Sequence, residues 1–352
     1  MELYVLDRDI NILGIFSSYE ALIWNISIHE PDTFTVSFNY TKEMDKILER
    51  GNLIYKSDEE EPGIITRKYL KLSKTGEQTI QIKGYMAGRY LNQRIIWTKM
   101  VMNGTYEDIM RQMVYENAVN PVIAERKIPR LVLGERKGYP GSIEKQVTYD
   151  NLQEALTELS EVSELGWQLK LDLKDKLFLF EVYQGKDRTF GSSEPCIFSR
   201  SYNNVYVQEY TEDISNFRNI CLVGGTGEDK DRILETVGEA EGLDRYEMFY
   251  NASGMSNADI AEAEYLSQLN QKGCEQLKKH YLAKAFESQV NIKKAMKWDK
   301  GDYVTCYDNE WGLMVNTQIK KVTKTYSKEE KTLDITFGDS APSLIQLIKS
   351  NH

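Results

Sequence analysis

The chain has 352 residues, 41% of them hydrophobic and 28% charged, with a net charge of −10 from 44 Lys+Arg against 54 Asp+Glu. This is ordinary globular composition, enough for about two domains, and it excludes a wholly disordered chain. No run of 18 apolar residues offers a membrane span, and the acidic balance argues against a surface built to grip nucleic-acid phosphates.

The opening MELYVLDRDINILGIF alternates and carries early acids, unlike a signal peptide, so assembly in the cytoplasm is expected. Residues 1–100 then read as strands: Glu2–Asp7, Asn11–Phe16, Ile23–Glu30, Thr33–Tyr40, Asn52–Lys56, Gly63–Leu72 and Gln78–Gly84. In TFTVSFNY the residues Phe34, Val36, Phe38 and Tyr40 recur with a period of two, the mark of a half-buried strand. Many short strands parted by turns suggest a barrel or sandwich.

Residues 101–195 change character. Thr105 can cap a helix, with Asp108 three residues on and Tyr106, Ile109, Met110, Met113 and Val114 at helical spacing. A second helix is expected from about Tyr149 to Leu165, on Leu152, Leu156, Leu159 and Val162, with Gly166 stopping it as a C′ residue. A hairpin follows, Trp167–Leu171 and Leu177–Tyr183. Strands return around Cys196–Ser199, Val205–Tyr210 and Arg218–Val223, and Gly224, Gly225 and Gly227 mark a turn. Residues 233–286 become helical towards their end, where Gly273 interrupts an apolar stripe and permits close packing or marks a break. Strands resume to Gly338, and Ser343–Ser350 reads as a short helix.

Two β regions echo each other. Both open with Gly and a polar residue (Gly51-Asn52, Gly301-Asp302), and each runs a strand into an acidic turn, Asp58–Glu61 or Asp308–Glu310. A long strand, a Lys-bearing turn (Lys74, Lys324) and a last alternating strand ending at Gly84 or Gly338 complete each copy. Any antiparallel meander shows part of this pattern, so duplication and coincidence both stand. Charge is uneven as well. Residues 201–265 hold 14 acids against 4 bases, and residues 266–301 hold 8 bases against 3 acids. Such asymmetry suits head-to-tail subunit contacts or simply solvated faces that pair locally.

Catalytic motifs are lacking. No zinc spacing or H-E-x-x-H occurs, and Cys196, Cys221, Cys274 and Cys306 lie far apart, which suits reduced and mostly buried thiols. His29 and His280 suit packing or surface positions. VGGTGEDKDR (Val223–Arg232) follows a strand but lacks the P-loop Lys, and its acids would repel phosphate, so it reads as a turn. Glu181 and Asp187 imitate a glycosidase pair, which requires one raised pKa. Asp187–Arg188 reads better as a local ion pair, as do Asp244–Arg245 and Glu247. The 22 Tyr against 11 Phe suit strands, or interfaces that are wet on one side.

The segments GYMAGRYLNQRII, YDNLQEALTELSEVSELGWQLKLD, FEVYQGKDRTF, FSRSYNNV, NICLVGGTGEDKDR and GLDRYEMFYNASG resemble the phage tail-hub family. Its members are siphophage distal tail hub-like and tail-associated proteins akin to the baseplate hub of contractile phages. The Gly301-Asp302 opener and the closing TFGD extend the resemblance over most of the chain. It implies an α+β, mainly β fold with two tail-tube-like antiparallel β-barrels. These would be 1–100 and 196–232 plus 287–342, with an α+β insertion at 101–195, a largely helical one at 233–286 and a tail at 343–352. It also implies a homotrimeric, pseudo-sixfold ring in the virion tail, assembled in the host bacterial cytoplasm. The ring would join the tail tube (or distal tail protein) to a tip, fibre or lysin protein, while tape-measure protein and DNA pass through without stable membrane insertion. The matched residues Gly84, Arg94, Asp150, Gly166, Asp187, Arg188, Gly224, Asp244, Arg245, Gly301, Asp302 and Gly338 are expected to fix turns and domain contacts. No catalytic residue, metal or cofactor is expected. The net charge suits a conduit whose acidic lumen keeps DNA from sticking. Related tip proteins carry a C-terminal lytic or fibre-binding domain, for which residues up to His352 leave no room. The rival functions are a peptidoglycan-degrading tail hydrolase and a carbohydrate- or receptor-binding module using Tyr and Trp rings.

Overall fold

The computed structural model describes residues 2–258, 260–291, 296–328 and 330–339, so the helix expected at Ser343–Ser350 lies outside them. The described chain divides into two units, 2–208 with 287–337, and 209–286 with 338–339. The fold is α+β and mainly β, built on large antiparallel sheets.

The first unit begins with β1 (Leu3–Leu6), β2 (Ile12–Phe16), β3 (Ala21–Ser27) and β4 (Thr33–Asn39). Helix α1 (Lys42–Ile47), β5 (Leu53–Lys56), β6 (Gly63–Leu72) and β7 (Gln78–Met86) follow. The expected strands thus appear, with ends shifted by up to three residues. The alternation in β4 sends Phe34, Val36 and Phe38 inward, each at most 1% exposed, against Leu22 and Trp24 of β3 and Ile80 and Ile82 of β7. Trp24 and Phe34 stack at 5.6 Å between centroids. Each such side chain contributes about 1.5–3 kcal/mol on burial. Helix α1 is only six residues long, with Met44 and Ile47 half-buried against the same core, too short a stretch for periodicity to register; Thr41 caps it by accepting from Met44 N at 3.1 Å.

The α+β region that follows contains β8 (Met100–Thr105), α2 (Tyr106–Val114), β9 (Leu131–Leu133), β10 (Ser142–Val147), α3 (Leu152–Ser163), β11 (Gly166–Asp172) and β12 (Leu177–Tyr183). Thr105 caps α2 as its sequence suggests, accepting from Asp108 N at 3.1 Å and donating to Asp108 Oδ2 at 2.7 Å. The fully buried Glu107 accepts from the backbone N–H groups of Lys137, Gly138 and Tyr139, pinning that loop to α2. Asn151 caps α3. Gly166 does not stop α3: Glu164 takes the left-handed position at φ 59°, and Gly166 opens β11 beneath the Tyr183 ring. Strands β13 (Asp187–Arg188) and β14 (Ile197–Phe198) come next, and the chain leaves the unit along β15 (Val205–Asp213).

In the second unit β16 (Ile220–Gly224) lies between β17 (Leu234–Val237), antiparallel, and β18 (Glu247–Asn251), parallel. Helix α4 (Glu262–Lys279) packs Tyr265 and Leu269 onto Cys221, Val223 and Val237. Gly273 permits that approach, since a Cβ there would sit 2.5 Å from Val237 Cγ2. The Tyr265 hydroxyl accepts from Thr226 N at 2.9 Å and donates to Met255 O at 3.1 Å, fixing the glycine-rich turn.

The chain returns along β19 (Ala283–Val290) to β20 (Tyr303–Asp308), β21 (Leu313–Ser327) and β22 (Lys331–Asp339). The long sheet runs β15-β19-β22-β21-β3-β4-β7-β6-β5-β1-β2, with β13, β14 and β20 branching from β21. Pairing of β3 with β21 joins the strands that precede the first echoing segment to the second one. The likeness of the two echoing segments extends to backbone detail. Gly51 (φ 90°) and Gly301 (φ 84°) both occupy the region open to glycine. Gly51 N donates to Ile65 O at 2.8 Å and Ile65 N to Asn52 O at 2.8 Å. Gly301 N donates to Ile319 O at 2.9 Å and Ile319 N to Asp302 O at 2.9 Å. Each hairpin then slips register just past that isoleucine, at Ile65/Arg67 and at Ile319/Lys321. Neither closing glycine ends its strand, since β7 runs on to Met86 and β22 to Asp339.

Candidate functional site

The residues singled out from sequence fall into separate groups. Asp187 and Arg188 do not pair with each other. Arg188 Nε donates to the buried Asp302 at 2.7 Å and its Nη1 to Glu194 at 2.9 Å. Asp302 also accepts from Lys186 N and Asp299 N. Gly301 adjoins this cluster, and Gly185, which sequence reasoning missed, packs so closely that a Cβ would lie 1.7 Å from Gly301 O. Arg94 donates to the carbonyl of Arg126 at 2.5 Å, and Asp150 O accepts from Ile96 N at 2.9 Å. Gly84 lies within β7, where a Cβ would meet Ile64 O at 1.8 Å, and Gly338 sits within β22 at φ 75°. In the second unit Gly224 lies under the Arg232 guanidinium. Asp244 gives its carbonyl to Asn219, while Arg245 pairs with Glu247 at 2.5 Å.

The acidic turn after β5 reaches much further than its sequence suggests. Lys56, fully buried, donates to Asp58 at 2.5 Å and Glu59 at 3.1 Å, and Lys324 of β21 also reaches Glu59 at 2.5 Å. Glu60 accepts from Lys170 at 2.6 Å and Gln168 at 2.7 Å on β11, and Lys300 donates to the other end of Gln168 at 2.6 Å. Glu61 accepts from Gly88 N and Leu169 N; burial pushes its carboxyl up, against the opposing pull of Lys300. These groups border a cavity of about 260 Å³ floored by Trp24, Met86 and Trp298. The turn thus ties both echoing segments to β11 of the α+β region.

His29 does similar work on another side. Lys320 Nζ lies 3.1 Å from its Nε2 and Ser160 Oγ 2.8 Å from its Nδ1, and Ser160 donates in turn to Leu165 O at 2.5 Å. That chain of donors assigns a neutral ring protonated at Nδ1. Burial, then the nearby Lys320 charge, lowers its pKa to about 3.

Asp187 is a poor general acid. It accepts from Thr189 N and Oγ1, which hold its carboxyl below the ordinary range. Burial pushes the Cys196 thiol up to about 12 and Cys306 higher still, and both are free. Among the described residues no group of His, Cys, Asp and Glu is placed to hold a metal ion.

One broad surface is a sheet face. Opposite the core, neighbouring strands bring Thr332, Thr325, Ile23, Thr35, Lys83 and Arg67 into one row. The next row, Asp334, Thr323, Asn25 and Thr33, is linked by Thr323 Oγ1 donating to Asn25 at 2.8 Å and Asn25 Nδ2 to Thr33 at 3.0 Å. On the other side lie Ser327, Ala21, Ser37, Gln81 and Tyr69. None of these residues is buried. Hydroxyls and amides dominate a face six strands wide that spans both echoing segments.

Known proteins carry the same architecture. The family described as Siphovirus ReqiPepy6 Gp37-like protein matches residues 2–339. The tail protein from Neisseria meningitidis MC58 superposes with a TM-score of 0.60 at 12% identity, covering 96% of this chain and 96% of that one. The prophage MuSo2 43 kDa tail protein from Shewanella oneidensis gives 0.61 at 14%, covering 96% and 98%. Prophage tail protein gp18 from Listeria monocytogenes EGD-e gives 0.55 at 12%, covering 100% and 98%. At such identities the likeness is one of fold. No curated protein matches the sequence.

Proposed function

The chain belongs to the Siphovirus ReqiPepy6 Gp37-like family of phage tail proteins, and from that premise we propose that three copies close a hub ring joining the tail tube to the tail tip. In this reading residues 1–100 form one tube-like module and 196–232 with 287–342 the other, with 101–195 and 233–286 as insertions. The observation that carries it is the backbone pattern recurring at Gly51–Ile65 and Gly301–Ile319. Two equivalent modules per chain place six around one axis, which fits a sixfold tube on one side and a threefold tip on the other.

The hydroxyl and amide face of the joined sheet is then the lining past which tape-measure protein and DNA move. It offers many weak, interchangeable hydrogen bonds and few fixed charges, so a passing polymer finds no deep resting place. The role is structural, with no catalytic residue, metal or cofactor, and its partners are the tube or distal tail protein above and a tip, fibre or lysin protein below. Assembly takes place in the host bacterial cytoplasm and the ring stays in the virion tail.

Cryo-electron microscopy of purified tails tests the reading. Three copies around a channel lined by Thr35, Thr325 and Ser37 are expected. A single copy per tail, or this face turned to the outside, would overturn it.

A further inference from the structure

Two exposed features complement each other in charge. The first lies in the α+β insertion, where residues 94–97 pair with 149–152. Ile95 is 39% and Trp97 50% exposed. The Arg126 guanidinium covers one side of the indole at 4.8 Å from the ring centroid, and its Nη2 donates to Ile95 O at 2.5 Å. Arg94 holds Arg126 from behind through the Arg126 carbonyl. Among the described residues neither arginine has an acidic partner; both are held by backbone carbonyls. Burial, then the adjacent Arg94 charge, lowers the Arg126 pKa, so a carboxylate brought here relieves a standing repulsion.

The second feature is the loop between β17 and β18. Leu243 is 97% exposed at its tip, among the exposed carboxylates of Glu239, Glu241 and Asp244. None of these acids has an ion-pair partner among the described residues, and the one base in the loop, Arg245, is taken by Glu247. Elsewhere in the unit Lys272 pairs with Glu275 and Lys284 with Glu212. Three of the acids that make up the negative balance of residues 201–265 thus stand exposed at this loop.

We propose that the Leu243 loop of one copy docks on the Ile95–Trp97 platform of the next, its carboxylates meeting Arg94 and Arg126. An apolar side chain seated beside Trp and flanked by Arg–carboxylate pairs is the composition of an interface hot spot. The contact is heterologous, one surface meeting a different surface of an identical chain, and such contacts close rings when the rotation fits. It rests on the ring reading above and supplies the joint between neighbours.

Two measurements test it. With Cys274→Ser removing the exposed thiol, Trp97→Cys and Leu243→Cys are made in separate chains, mixed and treated with a bis-maleimide. A covalent dimer bridging positions 97 and 243 is expected by mass spectrometry. In parallel, Arg94→Glu with Arg126→Glu is expected to weaken self-association about 30-fold or more. Adding Glu241→Lys and Asp244→Lys to that same chain should restore it, which a misfolded variant would not do. An assembled oligomer lacking the 97–243 link, or unweakened by charge reversal, overturns this contact and leaves the ring standing. A wild-type chain that stays monomeric at every concentration, and single in the tail, overturns both.

Discussion

Single residues show where the polar chemistry of this chain is spent. Glu107, Arg188, Asp302 and His29 are all polar groups held by partners distant in sequence, whereas the buried Lys56 pairs with Asp58 and Glu59 beside it. His29 gives a pH dependence with a definite sign. Its folded pKa, about 3, lies below its ordinary value of 6.5. At neutral pH both folded and unfolded states hold it uncharged. As pH falls through 6.5 the unfolded chain takes up a proton that the folded one refuses, so stability drops by about 1.4 kcal/mol per pH unit. By pH 5 this amounts to about 2 kcal/mol. His29→Gln keeps an acceptor for Lys320 and a donor for Ser160 but cannot titrate. Thermal melts at pH 7.5 and 5 should therefore converge for the variant relative to wild type; an unchanged gap between the two pH values would refute the buried neutral ring.

At the level of elements, close backbone approach matters as much as apolar patterning. Gly185→Ala would drive a methyl into the Gly301 carbonyl and force β13 away from β20. A loss of about 3 kcal/mol is expected, read as a lowered urea midpoint with an unchanged slope. Wild-type stability in this variant would mean the two strands are not so tightly joined. The same contact marks the limit of what the sequence makes legible. Strands such as β4 and the α2 cap are written in local alternation and in Thr105–Asp108, so they can be read directly. At Gly273 the sequence leaves close packing and a break as equal readings, and only the contact with Val237 decides for packing. The echo at Gly51 and Gly301 is visible as spacing, although its shared hydrogen bonds are not. Helix α1 is too short for its Met44 and Ile47 to show a period, the true stop of α3 is Glu164 rather than Gly166, and Gly185 matters only through a partner more than a hundred residues away. Arg188 likewise pairs with Asp302 and not with its neighbour Asp187. Such tertiary pairings leave no periodic trace.

For the whole molecule the net charge of −10 and the hydroxyl-rich sheet face act together. Affinity for duplex DNA depends on clustered cations, and here Lys321 is already matched by Asp32 while Arg67 and Lys83 sit at one side of the face. No retardation of duplex DNA is expected in a gel-shift assay at about 0.15 M salt; a stable shifted band would contradict a lining past which DNA slides. The pairing of β3 with β21 carries a consequence of another kind. Its two members lie near opposite ends of the chain, so a nascent polypeptide leaving the ribosome must hold β3 unpaired on one side until translation reaches the last hairpin, a wait on the order of tens of seconds. Throughout that interval the growing chain presents a sticky, half-made edge, and its escape from aggregation depends on chaperones or on speed of synthesis.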